Sequence, residues 1–489
     1  MSVSSKALSD SGSAVWSRSG RWIALCLLSL LAGCAGTYKP ANQPITRVDE
    51  DSGYRRVIVD RNELLGDSLI LLAFSGGGTR AAALSYGVME ELRDTLIDNE
   101  GVEIRLLDEV DSISSVSGGS FTAAYYGVFR DKLFEDYEEV FLRQSVQSTL
   151  IRRLFNPVYW VRSATDGFDR TEMAIDYYDK AIFKGATFND MAQNGPPFID
   201  INATDLTSGL RFTFSQDLFD LMCSDLGTLK VARAVTASSA VPVAFPTVVL
   251  KNYADQCDIT GTRNWSILEQ TEIQGEAQEQ LVEGLKSYRD VEQRKYIHLV
   301  DGGIADNLGL RAMIDRTEGL NELRFQWLKE HAVKNLVIIL VNAAVRPDSF
   351  IEQSPSKPKP ATTMGAFLDA QMSRYNQETV DRLRLNIEQL AQKARNEALP
   401  LQIYFSEVSF DHVQFKDASS MLNNMPTSLE LSDREVDQLI ASGRMLLRHE
   451  PSFTRFRMRN NARLAEGAMT EESVCEFYQH PKCGDAETE

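Results

Sequence analysis

Short apolar segments alternate along the chain with segments of helical periodicity. Residues 68–74 form an apolar run that ends at a glycine turn, and residues 81–96 then place apolar side chains four residues apart. Comparable apolar runs occupy residues 109–116, 197–205, 295–300 and 335–344. Strands that alternate with helices form a mainly parallel sheet covered on both faces. The pattern therefore predicts an α/β fold.

Composition and charge exclude some partners. The 489 residues are 43% hydrophobic and 25% charged, which is typical of a globular protein. The formal net charge of −18 argues against a nucleic-acid partner. The five histidines are scattered and the chain has no CxxC, so we expect no metal site and no cofactor.

The first 33 residues predict an export signal. A positively charged stretch precedes a largely apolar stretch of ten residues at positions 22–31, which is too short for a spanning helix of roughly 20 residues. The following LAGC resembles the cleavage box of bacterial lipoproteins, in which the cysteine, here Cys34, is acylated. A plain secretory signal with an incidental cysteine is the alternative. We favour lipidation because Cys34 follows the apolar run at once.

The predicted anchor indicates a location. Acyl chains on Cys34 would hold the protein to a membrane, and residues 34–60 would form a polar tether. Ala35 follows the cysteine, whereas an Asp there would suggest the inner membrane. We therefore expect the bacterial cell envelope, at the periplasmic face of the outer membrane rather than the inner membrane.

Four cysteines remain beyond Cys26 in the signal and Cys34. An even number of cysteines in an exported protein permits two disulfides. Pairing by proximity along the chain joins Cys223 to Cys257 and Cys475 to Cys483, which is one of three connectivities.

The folded body is predicted to divide into two parts. Residues 61–350 form the catalytic domain and include a polar, helical insertion at about 252–293, which could be a cap, a partner surface or a mobile insertion. Residues 351–489 form a helical extension packed on this domain, with a long amphipathic region and a capping box at Ser432 and Glu435. The oligomeric state stays open.

A candidate nucleophile lies between an apolar run and a helical pattern. Ser115-Val116-Ser117-Gly118-Gly119 follows S-x-S-x-G, one residue different from the nucleophile elbow G-x-S-x-G. Ser117 would then stand at the start of a helix, where backbone N–H groups favour developing negative charge. The alternative is an ordinary Ser/Gly loop.

Three consecutive glycines follow the strand at residues 68–74. Gly76, Gly77 and Gly78 would expose backbone N–H groups, which a tetrahedral acyl intermediate needs for its oxyanion. A phosphate-binding loop would require a lysine where the chain has Gly-Thr-Arg, and the third glycine of G-x-G-x-x-G is missing. A structural tight turn remains the other interpretation.

Asp301 is the candidate base. It directly follows the apolar run at residues 296–300 and precedes Gly302 and Gly303, so its carboxylate would lie at the end of a strand with room for close approach. The alternative is a turn-forming Asp-Gly pair.

Together these three motifs resemble the patatin-like phospholipases, over roughly residues 69–342. The resemblance implies a three-layer α/β fold with a mainly parallel central sheet and helices on both faces. It implies a Ser-Asp dyad of Ser117 as nucleophile and Asp301 as general base, with an oxyanion hole at Gly76, Gly77, Gly78 and Gly118. Arg80 matches the family's arginine after the glycine loop, and residues 232–246 resemble a further block near the site. Ser75 and Ser115 depart from the family's usual acidic residue and glycine.

A catalytic triad is the mechanistic alternative. It would need a histidine after Asp301, and the candidates are His331, His412, His449 and His480. None of them lies beside a glycine-rich turn. His298 precedes Asp301 and is predicted to be a structural residue of the strand.

The resemblance implies a membrane-anchored serine hydrolase that cleaves fatty-acyl esters of phospholipids or related lipids, with membrane lipids as both substrate and anchor. Two alternatives stay open: a catalytically silent lipid-binding or scaffolding lipoprotein of the same fold, and a periplasmic esterase for soluble substrates. The aromatic and arginine residues at 151–164 would suit a membrane interface, or a buried segment with charged flanks.

Overall fold

A computed structural model of the chain describes residues 40–56, 67–99, 101–155, 168–242, 245–271, 273, 275–318, 321–345, 355–413 and 416–470. The predicted signal peptide, Cys34, Cys475, Cys483 and His480 lie outside these residues. The division of the chain into domains stays a prediction.

The described residues form thirteen strands. In chain order they are β1 (Gln43–Pro44), β2 (Ser68–Phe74), β3 (Thr95–Asn99), β4 (Val102–Arg105), β5 (Val110–Val116), β6 (Phe198–Asp205), β7 (Arg211–Thr213), β8 (Ser224–Asp225), β9 (Val248–Lys251), β10 (Tyr296–Val300), β11 (Asn335–Asn342), β12 (Gln402–Ser409) and β13 (Arg463–Leu464).

Seventeen α-helices accompany these strands in the described ranges. They are α1 (Gly78–Asp94), α2 (Gly118–Phe129), α3 (Leu133–Tyr137), α4 (Val146–Leu154), α5 (Arg170–Ala181), α6 (Phe188–Gln193), α7 (Gln216–Leu221), α8 (Val231–Ser238), α9 (Arg263–Gln270), α10 (Glu276–Lys286), α11 (Gly303–Asp306), α12 (Arg311–Glu318), α13 (Asn321–Glu330), α14 (Pro360–Asn396), α15 (Lys416–Asn423), α16 (Asp433–His449) and α17 (Pro451–Arg459).

The central sheet has the strand order β12-β11-β2-β5-β6-β10-β9, with β7 paired to β6. The strands from β12 to β6 are parallel, whereas β10 runs antiparallel to both β6 and β9. The carboxyl ends of β2 and β5 therefore open on the same edge of the sheet, where ligands of α/β sheets bind. The predicted mainly parallel α/β sheet is confirmed.

Helices cover both faces of this sheet because its central strands are apolar on both sides. Along β11, Val337, Ile339 and Val341 enter one hydrophobic core, together with residues of α1 and α2. The alternate residues Leu336, Ile338 and Leu340 enter a second core, with residues of α12, α13 and α14. Successive side chains of a strand point to opposite faces, so the fold has three layers.

The C-terminal residues belong to the same body. Strand β12 pairs with β11 along its whole length, and α16 packs against α1. The two helices approach closely, since a β-carbon added to Gly87 or Gly443 would overlap a backbone carbonyl oxygen of the other helix. The capping box of Ser432 and Glu435 begins α16 as predicted. Sequence periodicity predicted the helices of this region but not the strand β12.

The polar insertion is helical, as predicted, and contains α9 and α10. A disulfide joins Cys223 to Cys257 at the start of the insertion, which confirms one of the two proposed pairs. None of the helices within the described ranges has an apolar stretch long enough to cross a bilayer.

Candidate active site

Ser117 stands at the turn between β5 and α2 in a backbone conformation that serine rarely adopts. Its φ is 50° and its ψ is −118°. Such a conformation is costly for a residue with a β-carbon and persists only where the surroundings hold it. The first two residues of α2, Gly118 and Gly119, allow the tight approach, because a β-carbon on either would overlap the glycine loop or the end of β2.

The fold brings Ser117 and Asp301 into direct contact. The hydroxyl oxygen Oγ of Ser117 donates a hydrogen bond to Oδ2 of Asp301 across 3.0 Å. Each residue is only 8% exposed. Burial raises the pKa of Asp301 to about 6, although hydrogen bonds from the Gly303 N–H and the Ser117 hydroxyl partly oppose the rise.

Several backbone contacts hold Asp301 in place. Its own N–H donates to the carbonyl oxygen of Ala240 at 3.0 Å, and its Oδ1 accepts from the N–H of Gly303 at 2.8 Å. The carbonyl oxygen of Asp301 accepts from the Thr204 hydroxyl at 2.8 Å. The carboxylate therefore has one oxygen fixed by the backbone and the other directed at Ser117.

The glycine loop lies beside the serine. A β-carbon on Gly118 would overlap the carbonyl oxygen of Gly78, and one on Gly76 would stand 3.4 Å from the β-carbon of Ser117. The N–H groups of Gly77, Gly78 and Gly118 donate to no described residue. Three backbone donors of the glycine loop and of the start of α2 thus have no acceptor among the described residues.

Gly76 differs from its neighbours in the predicted oxyanion set. Its N–H donates to the carbonyl oxygen of Asn307 at 2.9 Å, so it is already paired within the protein. The sequence could not show this, because Asn307 follows Asp301 on a remote part of the chain. Of the four glycines in the predicted oxyanion hole, the described residues leave only Gly77, Gly78 and Gly118 with an N–H group that has no acceptor.

The residues that build this site match a known family. Residues 72–314 match the family model described as patatin-like phospholipase. They form a patatin-like phospholipase domain. The family predicted from the three motifs is confirmed, and the match supports a lipid acyl hydrolase at the level of the family.

A solved structure of low sequence identity is also similar to the chain. Human GIVD cytosolic phospholipase A2 is similar with 11% sequence identity and a TM-score of 0.34, over 66% of this chain and 58% of that chain. The chain thus spans less than two thirds of the length of that phospholipase. No curated protein matches the chain.

Arg80 is buried in the patatin-like domain and holds backbone segments around the glycine loop. Its guanidinium donates to the carbonyl oxygens of Ala343 at 3.0 Å and Met425 at 2.7 Å, and to the hydroxyl of Thr427 at 2.9 Å. Arg80 therefore joins the start of α1, which follows the glycine loop, to the segments that contain Ala343, Met425 and Thr427.

The two departures from the family pattern have structural partners in this domain. The hydroxyl of Ser75 accepts a hydrogen bond from the N–H of Ala343 at 2.8 Å, which ties the glycine loop to the end of β11. The hydroxyl of Ser115 donates to the carbonyl oxygen of Asp200 at 3.1 Å. Both hydroxyls are buried and bind neighbouring strands, so neither substitution leaves a gap.

The histidines lie elsewhere. His331 stacks on Trp327 and its Nδ1 contacts the carbonyl oxygen of that residue, while His412 contacts the carbonyl oxygen of Glu407. In the described part of the chain, no histidine contacts Ser117 or Asp301. No group of three or more His, Cys, Asp or Glu residues in these ranges could hold a metal ion.

Two residues that support the site were not singled out from the sequence, although Ser238 lies in the block at residues 232–246 that the resemblance places near the site. Ser238, at the end of α8, accepts the N–H of Ser117, and Asn202 on β6 donates to the Ser114 hydroxyl and the Ser115 carbonyl oxygen. Polar residues alternate along the fully buried β6 at positions 200, 202 and 204. Such alternation in a buried strand was a usable signal, since buried polar groups need partners.

Proposed function

We propose that this protein hydrolyses fatty-acyl esters of phospholipids or related lipids, with Ser117 as nucleophile and Asp301 as general base. The observation that carries the proposal is the 3.0 Å contact between the Ser117 hydroxyl and the Asp301 carboxylate. The N–H groups of Gly77, Gly78 and Gly118, which donate to no described residue, support it. The family match over residues 72–314 supports the same class of reaction.

The geometry suits acylation without a histidine. Oδ2 of Asp301 takes the proton of Ser117 as Oγ attacks the ester carbonyl carbon, because a free hydroxyl is a weak nucleophile. The N–H groups of Gly77, Gly78 and Gly118 stabilise the oxyanion of the tetrahedral intermediate. The C–O bond to the alcohol then breaks, and the alcohol leaves with the proton from Asp301.

Deacylation reverses the roles of the same groups. Water attacks the acyl-enzyme carbonyl carbon and gives its proton to Asp301. The bond to Oγ of Ser117 then breaks, the serine recovers a proton from Asp301, and the fatty acid leaves. The pKa of Asp301 near 6 suits both steps, because the carboxylate is ionised at neutral pH and still basic enough to accept a proton.

A labelling experiment tests the nucleophile. A fluorophosphonate probe should label the detergent-solubilised wild-type protein and should not label Ser117→Ala. Ser208→Ala is the matched control, because Ser208 is exposed and its hydroxyl contacts only the N–H of Leu210. A folded wild-type protein that takes no label would favour the silent scaffold instead.

A product experiment tests the substrate class. Mixed lipid vesicles are incubated with the wild-type protein and with Asp301→Asn, and the products are identified by mass spectrometry. Free fatty acid and deacylated lipid should form only with the wild type. Equal turnover of short water-soluble esters and of vesicles would instead indicate a soluble esterase.

For the location of the protein, we propose a lipid anchor at Cys34 in the bacterial cell envelope, on the periplasmic face of the outer membrane. The proposal depends on the LAGC box and on Ala35 after it. Expressed full length, the wild type should fractionate with the outer membrane, whereas Cys34→Ser should lose the acyl modification. Wild-type protein without acylation would contradict the anchor.

A further inference from the structure

Ser238 contacts the backbone of the proposed nucleophile. It is the last residue of α8 and has no exposed surface. Its Oγ accepts a hydrogen bond from the N–H of Ser117 at 2.9 Å and donates one to the carbonyl oxygen of Asn202 at 2.6 Å. The hydrogen of Ser238 is thus directed at β6, and a lone pair faces Ser117.

The same turn also holds the loop of the proposed base. The N–H of Gly302 donates a hydrogen bond to the carbonyl oxygen of Ser238 at 3.0 Å. The N–H of Asp301 donates one to the carbonyl oxygen of Ala240, also at 3.0 Å. Ser238 and Ala240 therefore contact the backbones of both members of the dyad.

The contact matters because Ser117 is strained. Ser117 has a positive φ, whereas residues with a β-carbon prefer a negative φ, and its N–H group is buried. Without an acceptor this N–H would be unsatisfied, so the turn would relax toward a conformation that pairs it. Relaxation would move Oγ of Ser117 away from Oδ2 of Asp301.

We propose that Ser238 is a positioning residue that holds Ser117 in its strained conformation within hydrogen-bond distance of Asp301. The inference rests on the proposed function and adds to it a residue that touches neither the substrate nor the reacting atoms. Its neighbour Ser239 gives a matched control, since the Ser239 hydroxyl is also buried but bonds only to carbonyl oxygens of its own helix.

The test compares Ser238→Ala with Ser239→Ala in the full chain on lipid vesicles. Ser238→Ala should lower kcat by roughly 10- to 100-fold with KM changed by less than about threefold, because the loss affects alignment for attack rather than substrate binding. Ser239→Ala should stay within about threefold of the wild-type kcat.

A pH profile separates positioning from simple stability. The hydrogen bond from Ser117 lowers the pKa of Asp301. If Ser238→Ala moves the serine away, this pKa rises and the ascending limb of the kcat/KM profile shifts to higher pH. Ser239→Ala should leave the limb in place. Measurements are made below the unfolding temperature of each variant.

An unchanged kcat or an unmoved pH limb in Ser238→Ala would overturn the inference. The proposed function would still stand if the wild type is active and Ser117→Ala is inactive. An inactive wild type would overturn both. If Ser238→Ala does not fold, Ser238→Cys replaces the hydroxyl by a larger thiol that is a weaker acceptor, and the same two quantities are measured on it.

Discussion

The carbonyl oxygen of Ser428 occupies the space that a side chain on Gly78 would need. A β-carbon on Gly78 would overlap this oxygen, and the N–H of the next residue, Thr79, donates to it at 2.8 Å. Ser428 lies outside the residues 72–314 that match the patatin-like family. A C-terminal segment therefore forms one wall of the glycine loop.

This wall explains why Gly78 should not tolerate alanine. Gly78→Ala should lose several kcal/mol of stability, from a positive φ of 63° and from the overlap with Ser428. Gly209→Ala is the control, because Gly209 has a φ of 70° and no atom within 4 Å of an added β-carbon. It should lose only about 1–2 kcal/mol. Urea unfolding measures both, and equal losses would contradict the packing argument.

The buried carboxylate predicts a pH-dependent rate. The proposed base must be ionised to accept a proton, and burial raises the pKa of Asp301 to about 6. We expect kcat/KM on a neutral ester to fall about tenfold for each pH unit well below 6 and to level off above it. A profile that stays flat down to pH 4 would argue against Asp301 as the base.

The same pKa predicts a stability effect of opposite sign. Because the pKa of Asp301 is higher in the folded protein than the 3.8 of a solvent-exposed aspartate, ionisation lowers stability as the pH rises from about 4 to above 6. Asp301→Asn removes this cost. At pH 8 the variant should be more stable than the wild type by up to ~3 kcal/mol, and at pH 4 nearly equal. Urea unfolding at both pH values measures this, and a difference independent of pH would refute it.

The disulfide between Cys223 and Cys257 predicts sensitivity to reductant. It closes a loop with a sequence separation of 34 residues, so its reduction should lower the free energy of unfolding by about 3–4 kcal/mol. Urea unfolding with and without reductant measures the loss. The Cys223→Ala/Cys257→Ala double variant is the control. Any response that it keeps measures the predicted Cys475–Cys483 pair, and an equal response in both proteins would contradict the prediction.

Local patterns in the sequence predicted much of the fold. The apolar runs of β2, β5, β6, β10 and β11 and the helical periodicity of α1 and α14 appear at or near the predicted residues. Strand β12 was not predicted. Its residues are only partly buried at alternate positions, and it lies at the edge of the sheet, where the apolar signal is weaker.

The sequence by itself determined the residue types of the candidate site: a serine and three glycines at strand-to-helix turns, and an aspartate at a strand end. These depend on turn chemistry and periodicity, which are local properties of the chain. Only the tertiary structure decided that the hydroxyl of Ser117 contacts the carboxylate of Asp301. It also decided that the N–H of Gly76 donates to the carbonyl oxygen of Asn307, and that Ser238 and Ser428 contact the site. Those contacts join remote segments, and the packing of strands and helices sets their distances.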